Sequence, residues 1–251
     1  MNELWHDAFY KFVTVTDPDA LTAELTELCR SAGVLGSILV ASEGINGMLA
    51  GTEAQLGQVR SGLRADERFS DLFFKRTACK QMPFKRLKVK VKAELVPLGV
   101  DGVNGAETVG AVSPAEWREL LGQDDVVLID NRNAFEYELG HFKNAVNPQV
   151  ASFRDFAEYA EAHLDEWQGK KVAMYCTGGI RCEKTAAWLK GSGLELYQLH
   201  GGILHYLEQH PGDEAFEGEC FVFDDRVALD THLQETETSL EDLSPPLARF
   251  T

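Results

Sequence analysis

The chain has 251 residues, 44% hydrophobic and 25% charged, with a formal net charge of -16 and a sequence pI near 4.8. That is the balance of a folded, soluble protein with room for two ordinary domains, and so acidic a total argues against DNA or bulk nucleic-acid binding. No apolar run approaches the ~18 residues of a membrane span, so no membrane partner is expected. Residues 1–12 also lack a basic-then-apolar signal pattern, and a cytoplasmic location is expected.

In chain order, residues 9–16 read as a strand. Asp17-Pro18 reads as a helix start, with Leu21, Leu25 and Leu28 as the apolar stripe and Gly33 as the stop. Residues 34–41 form a second strand, and turn formers at 42–47 lead into a third starting at Met48. Thr52 and Gln55 make a capping box for a helix carrying Leu56, Val59 and Leu63. Residues 87–96 alternate strictly: Leu87, Val89, Val91, Ala93 and Leu95 on one side, Lys88, Lys90, Lys92 and Glu94 on the other. The order βαββαβ predicts a ferredoxin-like sandwich over residues 1–98.

Charge is unevenly distributed. Between Lys75 and Lys92 lie eight of the 24 basic residues and no acid. Lysines at period two on an edge strand protect against aggregation. Together with Lys80, Lys85 and Arg86, the row Lys88, Lys90 and Lys92 also forms a candidate phosphate-contacting surface.

A glycine-rich stretch at 99–112 reads as a linker. A second domain, 113–212, starts at the capping box Ser113 to Glu116. Strands at 126–130, 171–175 and 194–199 alternate with helices, which predicts a parallel α/β sheet with its site at the strands' C-terminal ends. Residues 131–141 read as mostly polar, and Ser152 as the cap of a helix through Phe153, Phe156 and Leu164. Gly201-Gly202 leads into a further helix. Residues 213–251 read as an acidic tail, disordered in part, ending in a Pro-Pro segment from Ser244.

The stretch 171–189 carries the chemistry. A short β-prone run ends at Cys176, a Gly178-Gly179 loop follows, and a helical segment opens at Ile180-Arg181-Cys182. Loop and first-turn N–H groups at such a place favour an anion, so Cys176 is either a nucleophile held as thiolate or a buried structural cysteine. The five cysteines, Cys29, Cys79, Cys176, Cys182 and Cys220, are odd in number and scattered, which suits free thiols rather than a disulfide framework. Four residues separate Cys176 from Arg181. A cysteine phosphatase needs five, and Cys182 stands where its arginine would be. No metal-binding spacing, phosphate-binding loop or dinucleotide fingerprint is present, and no cofactor is evident. His141, His200, His205 and His210 lack metal-ligand spacing and read as packing or surface residues.

Cys176-x-x-Gly179-x-Arg181 opening a helix resembles the rhodanese active-site loop. So do Ile129-Asp130-x-Arg132, Glu136-Tyr137-Glu138-x-Gly140-His141 and Gly201-Gly202-Ile203. With Glu43-Gly44-Ile45-Asn46 upstream and Phe221-Val222-Phe223-Asp224 downstream, the chain resembles the rhodanese-domain-containing tRNA uridine hydroxylase family. The resemblance implies formation of 5-hydroxyuridine at the wobble position of tRNA with molecular oxygen as co-substrate. It places the essential cysteine at Cys176 and the active-site loop at Thr177, Gly178, Gly179, Ile180, Arg181 and Cys182. Tails of many relatives are cysteine-rich, whereas this chain has Cys220 and none later. A persulfide-forming sulfurtransferase is the other activity that such a loop suits. Arg181 reads as an anion holder or as a loop anchor paired with Asp130 or a carbonyl, and Cys182 as a resolving thiol or a small helix-start residue.

Overall fold

The computed structural model describes residues 3–243. The expectation for the segment from Ser244 onward lies outside the described residues. The described residues fall into two compact units that part between Leu95 and Val96.

The first unit is built from β1 (Leu4–Phe12), α1 (Pro18–Ala32), β2 (Leu35–Ala41), β3 (Gly44–Thr52), α2 (Glu53–Ala65), β4 (Phe74–Cys79) and β5 (Leu87–Val91). Its sheet runs β4-β1-β3-β2-β5, antiparallel except for the parallel β2–β5 pair. Each helix starts where its cap dictates. Asp17 accepts from the Ala20 N–H at 2.9 Å, and Thr52 and Gln55 bond each other's backbone N–H groups. Leu25, Leu56, Val59 and Leu63 from the helices pack on Phe9, Ile38, Ile45 and Leu49 from the sheet. This is the ferredoxin-like arrangement with one strand added.

Four details of the first unit differ from the sequence reading. The first strand begins at Leu4, because buried His6 and Asp7 interrupt the apolar pattern that marks a strand. The third begins at Gly44, four residues before Met48, leaving a two-residue turn. The strand that completes the sandwich is β4, hidden within the basic segment: Lys75 and Thr77 are buried in it, and the Lys75 ammonium lies 4.7 Å from the Tyr10 ring centre. The alternating run forms only Leu87–Val91, on the opposite edge beside β2, and it stops where β2 stops, after a last bond from the Lys92 N–H to Val40.

The second unit contains β6 (Ala111–Val112), α3 (Pro114–Leu120), β7 (Val126–Asp130), α4 (Ala134–Leu139), β8 (Gly140–Phe142), α5 (Asp155–Trp167), β9 (Lys171–Tyr175), α6 (Ile180–Trp188), β10 (Glu195–Leu199) and α7 (Gly202–Gln209). β11 (Phe216–Gly218), β12 (Cys220–Phe221) and β13 (Ala228–Leu229) follow. The main sheet, β6-β10-β9-β7, is wholly parallel. One side of its core gathers Trp117, Phe142, Tyr175 and Tyr206, and the other gathers Phe156, Trp167, Val172 and Met174.

Two segments of this unit are more ordered than their composition suggests. Just before the glycine-rich stretch Leu98 is buried, and within the stretch Val100, Val103 and Val109 pack against the same core cluster. The Lys184 ammonium also donates to the Val96 carbonyl at 3.1 Å. The acidic tail folds back through Leu243. β11 pairs with β8, while Cys220, Phe221 and Leu229 are fully buried and Leu243 nearly so. Acids dominate its composition, but the apolar residues among them are the ones turned inward. Residues 131–141, read as polar, contain α4, which packs Phe135 and Leu139 inward and whose one fully buried side chain is the carboxylate Glu136.

Candidate active site

β9 delivers Cys176 to the C-terminal end of the parallel sheet, and the chain then turns through Thr177, Gly178 and Gly179 into α6. Gly179 takes φ 100, a left-handed value that favours glycine. This turn aims its N–H back at the sulfur, 3.1 Å from Cys176 Sγ. The N–H groups of Arg181 and Cys182 and the Cys182 thiol also favour the charged form of this sulfur. Burial by itself would push the Cys176 thiol up. The Cys182 thiol, the Arg181 charge and the two first-turn N–H groups outweigh burial and hold Cys176 at about 5, a thiolate at neutral pH.

The loop is held from beneath by the start of α7. The Ile203 N–H donates to the Cys176 carbonyl at 3.0 Å and the Leu204 N–H to the Thr177 carbonyl at 3.1 Å. With the carbonyls turned down, the amides turn up toward sulfur. The close approach requires Gly202, whose φ is +68 and whose added Cβ would sit 2.6 Å from the Thr177 oxygen and closer still to that of Cys176. Here lies the physical content of the Gly201-Gly202-Ile203 motif.

Arg181 is an anchor, but not to Asp130. Its guanidinium makes two bonds of 2.7 Å to the fully buried carboxylate of Glu136. Asp130 is occupied by Arg132, which folds back over two residues to bond it at 2.8 and 2.6 Å and also reaches the Gly140 carbonyl. Glu136 accepts in addition from the Asn133 N–H at 3.1 Å and the Thr177 hydroxyl at 3.3 Å. Despite burial, the Arg181 charge keeps the Glu136 carboxyl below its ordinary range. The arginine therefore carries a counter-anion yet still lends charge to Cys176. The Phe223 ring lies beside it, 5.9 Å from the guanidinium carbon, and Phe221 accepts from the Thr177 hydroxyl at 3.4 Å. Thus Phe221 and Phe223 of the downstream segment close one side of the loop. Glu136 and Gly202 were visible as motif letters, but their roles as counter-ion and close-packed floor were not.

Cys182 is fully buried, and its thiol is pushed well above the ordinary range by burial first and by the neighbouring Cys176 sulfur next. Both cysteines are free thiols, as is buried Cys220. Among the loop residues Ile180 and Gly178 are half-buried and Thr177 is buried. His141 stacks on Tyr137 with ring centres 3.9 Å apart, a packing role. Among the described residues no group of three or more His, Cys, Asp or Glu side chains is arranged to hold a metal ion.

The basic residues sit in the first unit. Lys80, Lys85 and Arg86 are exposed between β4 and β5, Lys90 is exposed on β5, Lys88 is half-buried on it, and Lys92 is exposed just after it. Partial desolvation, then the charges of Arg86 and Lys90, lower the Lys88 pKa, so these three cations share one neighbourhood. A groove of about 590 Å³ between α1 and β5 runs past Arg30, Lys88 and Lys90.

Residues 6–95 match the UPF0176 acylphosphatase like domain, and residues 113–209 match the rhodanese-like domain. The chain is 44% identical over 243 residues to the tRNA uridine(34) hydroxylase of Legionella pneumophila strain Paris, covering 96% of each chain. The protein of the same name from strain Corby matches equally, at 44% over 96% of each. Among solved structures, a rhodanese-like domain protein from Staphylococcus aureus aligns with a TM-score of 0.34 at 21% identity, over 44% of this chain and 98% of that one.

Proposed function

The chain belongs to the tRNA uridine(34) hydroxylase family, and on that premise we propose that it converts the wobble uridine of tRNA to 5-hydroxyuridine, using molecular oxygen and the thiolate of Cys176. The observation that carries the residue assignment is the sulfur itself, held at about 5 by N–H groups, a thiol and a guanidinium in a buried loop. A structural cysteine in an apolar setting is pushed the other way, as Cys29 is, to about 12.

A thiolate adds to C6 of a uracil ring and leaves C5 electron-rich, the condition under which C5 attacks dioxygen. The donors around Cys176 make sulfur both the nucleophile of that addition and a good leaving group when the ring is restored. Cys176 is 1% exposed, so a uracil reaches sulfur only as the side chains around it move aside. Glu136 and Arg181 keep the loop in register while that happens. We assign Lys85, Arg86, Lys88, Lys90 and Lys92, with Lys80 beyond them, to the tRNA phosphates. Period-two cations beside a groove match a phosphate backbone, and the acidic remainder of the chain repels it elsewhere. No helix among the described residues is long and apolar enough to cross a membrane, and a cytoplasmic site of action fits the substrate.

The test uses a strain lacking this protein and any other uridine-34 hydroxylase. Its tRNA is digested and analysed by mass spectrometry after restoring the wild type or Cys176→Ala. The wild type restores 5-hydroxyuridine and the variant does not. Restoration by Cys176→Ala ends the catalytic assignment, and no restoration by the wild type moves the chain to the persulfide sulfurtransferase reading.

A further inference from the structure

Hydroxylation with dioxygen has an electron account to close. Converting C5–H to C5–OH oxidises the ring by two electrons, while full reduction of dioxygen takes four. Two more electrons must come from a donor, and the second oxygen atom must leave as water. The site holds such a donor. Cys176 and Cys182 are both reduced and both buried in one core cluster. Cys176 directly follows its strand, and Cys182 lies on the first turn of the helix whose opening Gly179 N–H is 3.1 Å from the Cys176 sulfur. Each sulfur influences the other's ionisation. They stand on the loop and on the first turn of α6, six residues apart.

We propose that Cys182 is a catalytic residue, and that its thiol, buried in the same cluster as the Cys176 sulfur, supplies together with Cys176 the electron pair that reduces the second oxygen atom to water. The inference rests on the hydroxylase reading above. In the balanced step one oxygen atom forms the C5–O bond of the uridine. The C6–S bond breaks as the C5 proton passes to the peroxide, which restores the ring as a C5 hydroperoxide and frees the Cys176 thiolate. The O–O bond then breaks as the outer oxygen passes with its hydrogen to that thiolate, giving a sulfenic acid, and the oxygen left on C5 takes one proton from solvent. The Cys182 thiol then attacks that sulfur, the S–O bond breaks, and water leaves carrying the sulfenic hydrogen and the Cys182 proton. The sum is uridine, dioxygen, Cys176 thiolate, Cys182 thiol and a proton giving 5-hydroxyuridine, water and a Cys176–Cys182 disulfide. A dithiol reductant of the thioredoxin class, or dithiothreitol in the tube, returns the disulfide to two thiols. Burial keeps the Cys182 thiol protonated, so it stays out of the first step and reacts only once its neighbour carries oxygen.

The experiment is a single round with the full-length protein, reduced and then freed of thiol, mixed in air with tRNA from a strain lacking uridine-34 hydroxylases. For the wild type the expected result is 5-hydroxyuridine together with loss of two free thiols, and a non-reduced peptide map that joins Cys176 to Cys182. Without oxygen neither product nor disulfide appears. Cys182→Ser keeps a hydrogen-bond donor beside Cys176, so its Cys176 titration stays near that of the wild type. It is expected to stop after one round with Cys176 trapped as a sulfenic acid by a cyclic 1,3-diketone, and dithiothreitol restores turnover. Wild-type product formed while both thiols stay free overturns the proposal and leaves the hydroxylase reading standing. So does turnover of Cys182→Ser at the wild-type rate with a protein dithiol as reductant. No 5-hydroxyuridine from the wild type under any reductant overturns the hydroxylase reading and this proposal with it. The peptide map is read on the wild type, so it stands even where the variant folds poorly.

Discussion

Gly202→Ala tests the link between the fold of the second unit and the state of its sulfur. Residue 202 takes φ +68, and a Cβ there meets the carbonyl oxygens of both Cys176 and Thr177. A left-handed backbone costs a residue with a Cβ about 1–2 kcal/mol, and forcing atoms into a packed site costs about 1–3 kcal/mol. The sum, about 2–5 kcal/mol, corresponds to a fall in Tm of roughly 5–20 °C for a chain of this size. The chemical effect is separate. Relief of the clash lifts the loop, and each N–H bond lost from the thiolate is worth about 1.5–3 kcal/mol, or roughly one to two pKa units. The Cys176 thiol should then move from about 5 toward roughly 6–7. Gly191→Ala separates the two effects, since Gly191 has φ +88 but open space around its Cβ. It should lose only the backbone share and leave Cys176 untouched. The assays are thermal unfolding and the far-ultraviolet thiolate absorbance against pH, each referenced to the matching Cys176→Ala protein. If Gly202→Ala unfolds with Gly191→Ala and its sulfur still titrates near 5, the account of the loop floor is wrong.

Other consequences follow from the same geometry. Because the Cys176 pKa is depressed, the thiolate is present above about 5 and lost as pH falls through it; the single-round hydroxylation rate should drop on that acid limb and not climb through the ordinary thiol range near ~8.5. Glu136→Gln leaves the buried Arg181 charge without its counter-ion, and chemical unfolding should show a loss of about 3–5 kcal/mol. The freed guanidinium charge should keep the sulfur at or below about 5 in that variant, and a rise toward the ordinary thiol range would contradict the electrostatic assignment. Changing Lys88, Lys90 and Lys92 together to Glu should weaken tRNA binding and cut the salt dependence of affinity by roughly two to three log units per log unit of salt. Unchanged affinity and slope in a filter-binding titration would place the RNA elsewhere.

Much of this was legible in the sequence because local chemistry specifies it. The capping boxes at Thr52 and Ser113 form as read, Val126–Asp130 is a strand to the residue, and Cys176 ends a strand as its β-prone run implies. What escaped notice depends on long-range burial of polar groups. β4 is a strand carrying buried Lys75, and α4 has only six residues with a buried carboxylate among them, too short for its Phe135 and Leu139 to stand out as a period. The Arg181–Glu136 pair spans 45 positions, and no spacing rule distinguishes Glu136 from Asp130, a residue its own neighbour Arg132 already occupies. The acidic tail misleads for the opposite reason. Its composition describes its solvent face, while Phe216, Cys220, Phe221 and Leu229 carry its packing.

The most direct test of the central claim follows the oxygen. Purified wild-type protein, reductant and tRNA with unmodified wobble uridine are incubated under heavy-isotope dioxygen in ordinary water, and the nucleosides are weighed by mass spectrometry. One heavy oxygen atom should appear in 5-hydroxyuridine at the wobble position, and none of the product should form with Cys176→Ala. A product carrying oxygen from water, or product of equal yield without Cys176, would contradict the account.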